Sequence, residues 1–232
     1  MKYVLITGGT RGIGLACCKK FSEEGYVVTA LYSKDERAAE EARALLPQVS
    51  FIRADVADEA AVKTVFDALP RLDVLVNNAG IHLWKMAQDT AFSEWERVMQ
   101  VNAGGTFLCC KYAVKKMLER GGAIVNVSSI WGETGGSCES AYSASKGAVI
   151  AFSKALAKEL APMQITVNCV SPGVIDTEMN AGYSAEEREA LRKEIPLGRF
   201  GVSEEVARLI YELSQQKYIT GADIPINGGW NG

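Results

Sequence analysis

In the run YSASK, Tyr142 and Lys146 stand four positions apart with only Ser and Ala between them. On a helix that spacing stacks both side chains on one face. A phenol, with an ordinary pKa of about 10, is a reluctant proton donor or acceptor near neutrality; a neighbouring ammonium favours the phenolate and brings that value down. The pair is therefore either an acid–base device or plain decoration of a helix surface. The elements around it decide which.

Short β-branched or apolar runs recur along the chain: YVLIT (3–7), VVTALY (27–32), VSFIRA (49–54), DVLVNN (73–78), AIVNVS (123–128) and ITVNCV (165–170). Longer segments of helical periodicity separate them, the pattern of βαβ units. The runs are continuously apolar rather than alternating, so the sheet they form is expected to be buried on both faces. A last run, ADIPIN (222–227), adds a seventh strand whose Pro225 places it at an edge. The expectation is an α/β protein, one domain over 1–232, built on a doubly wound parallel sheet of about seven strands with helices on both faces. Ser33 and Glu36 form a capping box ahead of RAAEEARALL, and Pro47 closes that helix. The charged stretch that follows the sixth strand, around 178–200, falls where such folds keep ligand-facing loops. It is either a mobile lid over the site or a solvated surface helix.

Composition removes several classes of function. With 48% hydrophobic residues, 23% charged residues and 22 glycines, the chain has globular rather than disordered or fibrous composition. A net charge of −3 provides no basic footprint for nucleic acid or an anionic membrane. The six cysteines (17, 18, 109, 110, 138 and 169) show neither zinc-site spacing nor a secreted disulfide framework, so reduced thiols, mostly buried, and no metal site are expected. No segment has the length and apolarity of a signal peptide or a membrane span. A cytoplasmic protein is expected.

The first strand runs into TGGTRGIG, with glycines at 8, 9, 12 and 14, and then into an amphipathic helix. Glycine allows a tight turn and lets backbone N–H groups approach a pyrophosphate at a helix N-terminus, where the dipole favours anions. The spacing is G-x-x-x-G-x-G rather than the general dinucleotide fingerprint. Taken with NNAG (77–80), VNVSS (125–129), YSASK (142–146) and SPG (171–173), in that order and at those distances, it resembles the short-chain dehydrogenase/reductase family. The resemblance runs from Lys2 to Trp230 and is nearest to the 3-oxoacyl-acyl-carrier-protein reductases, as in the ending YITGADIPINGGW.

That resemblance implies a Rossmann-like domain and roles for particular residues. Tyr142 becomes the general acid in carbonyl reduction and the base in oxidation, with Lys146 lowering its pKa and holding the nicotinamide ribose. Ser129, at the end of the fifth strand, donates to the carbonyl oxygen where charge develops; Ser128 is its rival, and the family's thirteen-residue interval to Tyr142 favours Ser129. Asn102 matches the family's fourth catalytic position, and the Gly104–Gly105 pair after it suggests a helix kink. For the cofactor, the resemblance implies contacts from Gly8, Gly12 and Gly14, from Thr10, Arg11 and Ile13 between them, and from Tyr32 and Ser33. It adds Asp55 at the adenine with Val56 beside it, Asn78, Ala79 and Gly80, and then Pro172, Gly173, Ile175 and Thr177. An NAD user places a carboxylate at the end of the second strand for the ribose 2′-OH. Here Tyr32 occupies that place, with Ser33, Lys34 and Arg11 supplying donors and positive charge; Asp35 and Glu36 weigh against this but lie beyond the strand and read more easily as first-turn helix acids, so NADP(H) is expected.

Trp131, Glu139, Ser129 and Tyr142 are the expected substrate contacts, whereas Trp84 and Trp95 read as core or interface aromatics. His82, the single histidine, reads as a loop residue outside the mechanism. The resemblance implies an acyl-carrier-protein thioester as substrate, yet the family's basic docking positions hold Ala123 and Met163, and its usual Gln three before the tyrosine is Glu139. Arg120, Lys116 and Lys115 are nearby substitutes. Alternatives are a reductase of another small ketone, sugar or CoA thioester, and a non-catalytic dinucleotide sensor. The family's homotetramer would pair helices over 92–118 and 142–161, with Phe107, Tyr112 and Phe152 as contacts.

Overall fold

The computed structural model describes residues 1–178 and 182–231. Seven strands form a single parallel sheet: β1 (Tyr3–Thr7), β2 (Val27–Tyr32), β3 (Ser50–Arg53), β4 (Val74–Asn77), β5 (Gly122–Val127), β6 (Ile165–Pro172) and β7 (Asp223–Ile226). Their order is β3-β2-β1-β4-β5-β6-β7, so the chain switches direction between β1 and β4. The continuous apolarity of the strands has a direct cause. In β1, Val4 and Ile6 join one buried cluster and Leu5 the other; in β4, Val74 and Val76 face one way and Leu75 the other. Both faces are covered, as in other parallel sheets.

On one face lie α1 (Gly12–Glu23) and α9 (Ser203–Gln215), which contribute Cys17, Phe21, Val206, Ile210 and Leu213 to the first cluster. On the other lie α3 (Glu59–Ala68), α5 (Gly105–Met117) and α7 (Ser140–Leu160), which contribute Val62, Phe66, Ala113, Met117, Ala157 and Leu160. The remaining helices are α2 (Glu36–Leu45), α4 (Phe92–Met99), the short α6 (Trp131–Thr134) and α8 (Ala185–Glu194). Cys17, Cys18, Cys109, Cys110 and Cys169 are buried free thiols, each pushed up in pKa chiefly by burial, which keeps them unreactive.

Several local expectations are corrected. The cap of α2 is Asp35, whose carboxylate accepts from Ala38 N at 3.0 Å, rather than Ser33. Asp35 lies adjacent to the first helical residue, and that is the position from which a short side chain reaches the free N–H groups. Tyr112 is buried against Phe66 and donates to Glu59 Oε1 at 2.9 Å, so it belongs to the core rather than to an outer face; Phe107 and Phe152 do lie together toward the surface, with ring centroids 6.0 Å apart. Pro225 does sit at the edge, in β7, which among the described residues pairs with β6 alone. Of the stretch read as a lid, residues 179–181 lie outside the described residues; the remainder contains α8, capped by Ser184 and tied down where Arg188 donates to Asp176 at 2.9 Å.

Candidate active site

The reversal of strand order leaves a crevice at the carboxyl ends of β1 and β4, where open α/β sheets take their ligands. Its floor is the glycine turn between β1 and α1. Gly8 and Gly12 have φ of +67° and +52°, in the left-handed region. At Gly14 a Cβ would fall 2.0 Å from the Gly8 carbonyl oxygen, so only glycine lets the helix start this close to the strand. Asn78 stitches the turn to β4: its Nδ2 donates to the Thr7 and Gly8 carbonyls at 3.0 and 3.1 Å, and the Asn78 and Ala79 N–H groups donate to Thr7 Oγ1. Asn78 thus serves turn geometry.

The start of α1 differs from those of α2, α3 and α8. Helices α2, α3 and α8 are capped by Asp35, Asp58 and Ser184, whereas α1 has no side-chain cap and no acid in its first turn. Its first N–H groups are left for an external acceptor, and the helix dipole favours an anion there. A dinucleotide pyrophosphate fits that donor set. Ile13, Asn78, Gly80, Pro172, Gly173, Ile175 and Thr177 then line one continuous cleft that runs from the turn to Ser129, Tyr142 and Lys146. Thr10 is buried beside the turn.

At the far end of the cleft the side chains are sealed. Ser129 is 7% exposed, Tyr142 9%, Lys146 4% and Asn102 1%. Tyr142 and Lys146 share one face of α7, and Lys146 Nζ lies 5.6 Å from the centre of the phenol ring while donating to the Val127 carbonyl at 2.8 Å. Ser128 points elsewhere, donating to the Lys146 carbonyl at 2.9 Å, so of the two rival serines only Ser129 is turned toward the phenol. Burial pushes the phenol up to about 12; a hydrogen bond with Ser129 opposes this and the charge of Glu139 adds to it. Burial also takes Lys146 down from an ordinary 10.5 to about 8. The direction for Tyr142 is opposite to the one expected from the Tyr–Lys spacing alone. The reason is physical: exclusion of water disfavours each charged form, and the ammonium that would favour a phenolate is itself pressed to lose its proton.

Asn102 is reached by a backbone irregularity. A π-helical turn, Gln100–Gly104, joins α4 to α5, where the glycine pair suggested a kink. The Asn102 amide is fully engaged: Oδ1 accepts from Ile81 N at 2.8 Å, and Nδ2 donates to the Ile81 carbonyl and to Ser145 Oγ, each at 2.9 Å. It ties the loop after β4 to α7. Gly80 sits between Asn102 and Lys146, where a Cβ would lie 3.3 and 3.4 Å from their polar atoms.

Other expected contacts are placed differently. Tyr32 turns its hydroxyl to α2, donating to Glu36 at 2.9 Å and accepting from Arg43 at 2.9 Å. Arg11 is paired with Asp35 at 3.0 Å and with Glu178 at 3.2 Å. The Ser33 carbonyl accepts from Arg53. Asp55 is held by Arg97 at 2.7 Å and by Ala57 N at 3.0 Å; these bonds outweigh its partial burial and keep the carboxyl below its ordinary value. Val56 is buried where Gly105 lets α5 pack against it. Trp131 opens α6 with its ring edge-on to Trp230 at 5.3 Å, and Trp84 is exposed. Arg97 and the Val127 carbonyl left no signal in the sequence. His82, set aside there, lies 2.8 Å from Glu139 and edge-on to Tyr142.

Comparison with known proteins agrees with this geometry. The family model described as enoyl-(acyl carrier protein) reductase matches residues 8–231. The chain belongs to the short-chain dehydrogenase/reductase family. Among its relatives, the 3-oxoacyl-[acyl-carrier-protein] reductase FabG of Aquifex aeolicus is 39% identical over 98% of this chain and 96% of its own length. The protein of the same name from Staphylococcus aureus is 40% identical over 98% and 97%. Carbonyl reductase family member 4 of Xenopus tropicalis is also 40% identical, over 98% and 97%. As a short-chain dehydrogenase/reductase the protein is an oxidoreductase that uses a nicotinamide dinucleotide. Among the described residues, no helix is long and apolar enough to cross a membrane.

Proposed function

We propose that the protein is an NADPH-dependent reductase of 3-oxoacyl thioesters carried on acyl carrier protein. The observation that carries the reading is a single cleft that joins an uncapped helix N-terminus to a buried Ser129–Tyr142–Lys146 group. The names of relatives at about 40% identity over nearly the whole chain supply the substrate. NADP(H) rather than NAD(H) is supported by the absence of a carboxylate at Tyr32, where β2 ends, and by Arg11 at the glycine turn.

The bound coenzyme supplies a hydride. The uncapped N–H groups of α1 would hold its pyrophosphate, and Lys146 would hold the nicotinamide ribose. Ser129 donates a hydrogen bond to the substrate carbonyl oxygen, stabilising the charge that grows there. Tyr142 gives its proton to that oxygen. A phenol whose burial keeps it protonated is a persistent acid, and the nascent alkoxide is basic enough to take the proton. Asn102 fixes the loop after β4 against α7, which keeps Lys146 and Tyr142 in register.

NADPH oxidation with an acetoacetyl thioester, on acyl carrier protein and on CoA, tests the reading. Turnover with wild type and a loss of about a thousandfold or more in Tyr142→Phe, with NADPH affinity kept, is expected. A Tyr142→Phe enzyme as fast as wild type overturns the assignment. Reduction of simple ketones with none of either thioester would replace the substrate by a small carbonyl compound, a reading that Ala123 and Met163 at the docking positions and the Xenopus relative's name favour as second choice.

A further inference from the structure

Next to the reacting group stands an ion-pairing couple that the mechanism above leaves idle. Glu139 precedes Tyr142 by three residues at the start of α7, and its side chain is only 11% exposed. Its Oε2 lies 2.8 Å from Nε2 of His82, which reaches in from the loop after β4. The same imidazole stands edge-on to the Tyr142 ring, with centroids 5.2 Å apart and planes at 75°. No other side chain among the described residues bonds to this carboxylate. A carboxylate nine-tenths enclosed with one partner is expensive to maintain, so its position beside the phenol calls for a reason.

The groups facing Tyr142 are few. His82 comes from the loop after β4, Ser129 from the end of β5, Lys146 from α7 and Glu139 from the position just before it, while Tyr183, in the segment before α8, feels the same Glu139 charge. Lys146 spends its ammonium on the Val127 carbonyl. Glu139 is the nearby negative charge, and it acts on both phenols: each is pushed up first by burial, and the Glu139 charge pushes in the same direction. A phenolate beside a carboxylate suffers like-charge repulsion, and the His82 ring touches both groups.

We propose that the Glu139–His82 pair is a tuning couple that holds Tyr142 in its proton-bearing form, with the hydrogen bond to the imidazole damping the charge that the carboxylate presents to the phenol. The proposal rests on Tyr142 being the acid. In reduction the carbonyl carbon gains the hydride and its oxygen gains the Tyr142 proton. The C=O becomes CH–OH, the coenzyme is oxidised, and the phenolate recovers its proton from solvent. Glu139 and His82 are positioning residues here, acting through Tyr142.

The test is the pH profile of kcat/KM for reduction of an acetoacetyl thioester at saturating NADPH. Glu139→Gln keeps the size and an acceptor for His82 but removes the charge, so the alkaline limb moves to lower pH by about one unit. Glu139→Asp returns it toward wild type. His82→Leu strips the carboxylate of its donor without removing the charge and moves the limb the opposite way. A Glu139→Gln enzyme that melts and binds NADPH like wild type, with its limb superimposed on the wild-type one, overturns the proposal; a merely structural role lowers kcat/KM equally at every pH. Should Glu139→Gln fail to fold, His82→Leu decides by the same criterion. Failure of the underlying reading is distinct, since it shows as no thioester reduction by wild type or as full activity in Tyr142→Phe.

Discussion

The two ends of the cleft are built by opposite means. Around the glycine turn the ligand-facing groups are backbone N–H groups and half-exposed ion pairs: Arg11 with Asp35 and Glu178, and Arg43 with Glu36. Around α7 they are side chains sealed from water, two of them with strongly shifted pKa values. The first end costs little to keep and can exchange partners as a ligand arrives, because exposed ion pairs are worth about 1 kcal/mol or less. The second holds polar groups where water cannot compensate them, at a standing cost in stability. Recognition is placed where rearrangement is easy, and proton transfer where geometry is rigid.

If the turn is backbone architecture, adding one methyl group there should do the greatest damage. At Gly14 a Cβ meets the Gly8 carbonyl at 2.0 Å and Asn78 Nδ2 at 2.6 Å. Gly14→Ala is expected to lose about 3 kcal/mol in urea unfolding and at least about a hundredfold in NADPH affinity, since backbone cannot yield as a flexible side chain can. Gly182→Ala, where nothing among the described residues lies within 4 Å, is the control and should stay within about 0.5 kcal/mol of wild type. Equal effects at the two positions would contradict this account of the turn.

The other end should show the reverse: removing a catalytic group gains stability. Unfolded, Lys146 keeps its proton up to an ordinary 10.5; folded, burial makes it release the proton at about 8. Between those values the unfolded chain binds more protons, so stability rises with pH across that window and the full cost is felt below it. That cost is about 3 kcal/mol at pH 7, and the lost hydrogen bond to Val127 returns about 1. Lys146→Met is therefore expected to be inactive yet more stable by about 2 kcal/mol at pH 7, with the gain shrinking toward pH 10. A variant that is destabilised by the same amount at both pH values would show that the ammonium is not under strain.

The same contrast explains what could be read from the sequence. The strands are continuous because both faces are buried, a property each strand carries by itself; YVLIT and VVTALY coincide with β1 and β2 to the residue. Tyr142 and Lys146 were legible because a four-residue spacing on a helix forces adjacency. Glu139 and His82 were not, since 57 residues separate them and only the packing of the loop after β4 on α7 brings them to 2.8 Å. Nor was the direction of the Tyr142 shift legible, because burial is a property of the assembled fold and not of the motif. The α2 cap lies at Asp35 rather than Ser33, since both residue types cap equally well and only the position next to the first helical residue decides between them.

The smallest effect is expected at the exposed ion pairs, and it bears on which dinucleotide is chosen. Arg11 is shared between Asp35 at 3.0 Å and Glu178 at 3.2 Å, with its side chain 55% exposed. A 2′-phosphate would have to draw it away from both, gaining a charge-assisted contact and giving up weak exposed pairs. The net gain is about tenfold in affinity. Arg11→Ala is thus expected to weaken NADPH about tenfold with NADH changed less than about twofold, measured by fluorescence titration. Asp35→Asn keeps the helix cap, because Asn caps as well as Asp, but removes the competing charge, so NADPH should tighten by about two- to threefold. If Arg11→Ala instead weakened both coenzymes equally, the guanidinium would be holding the pyrophosphate that they share. The two ends of the cleft would then differ less than their ion pairs suggest, and the preference for NADPH would have to come from Ser33 and Lys34.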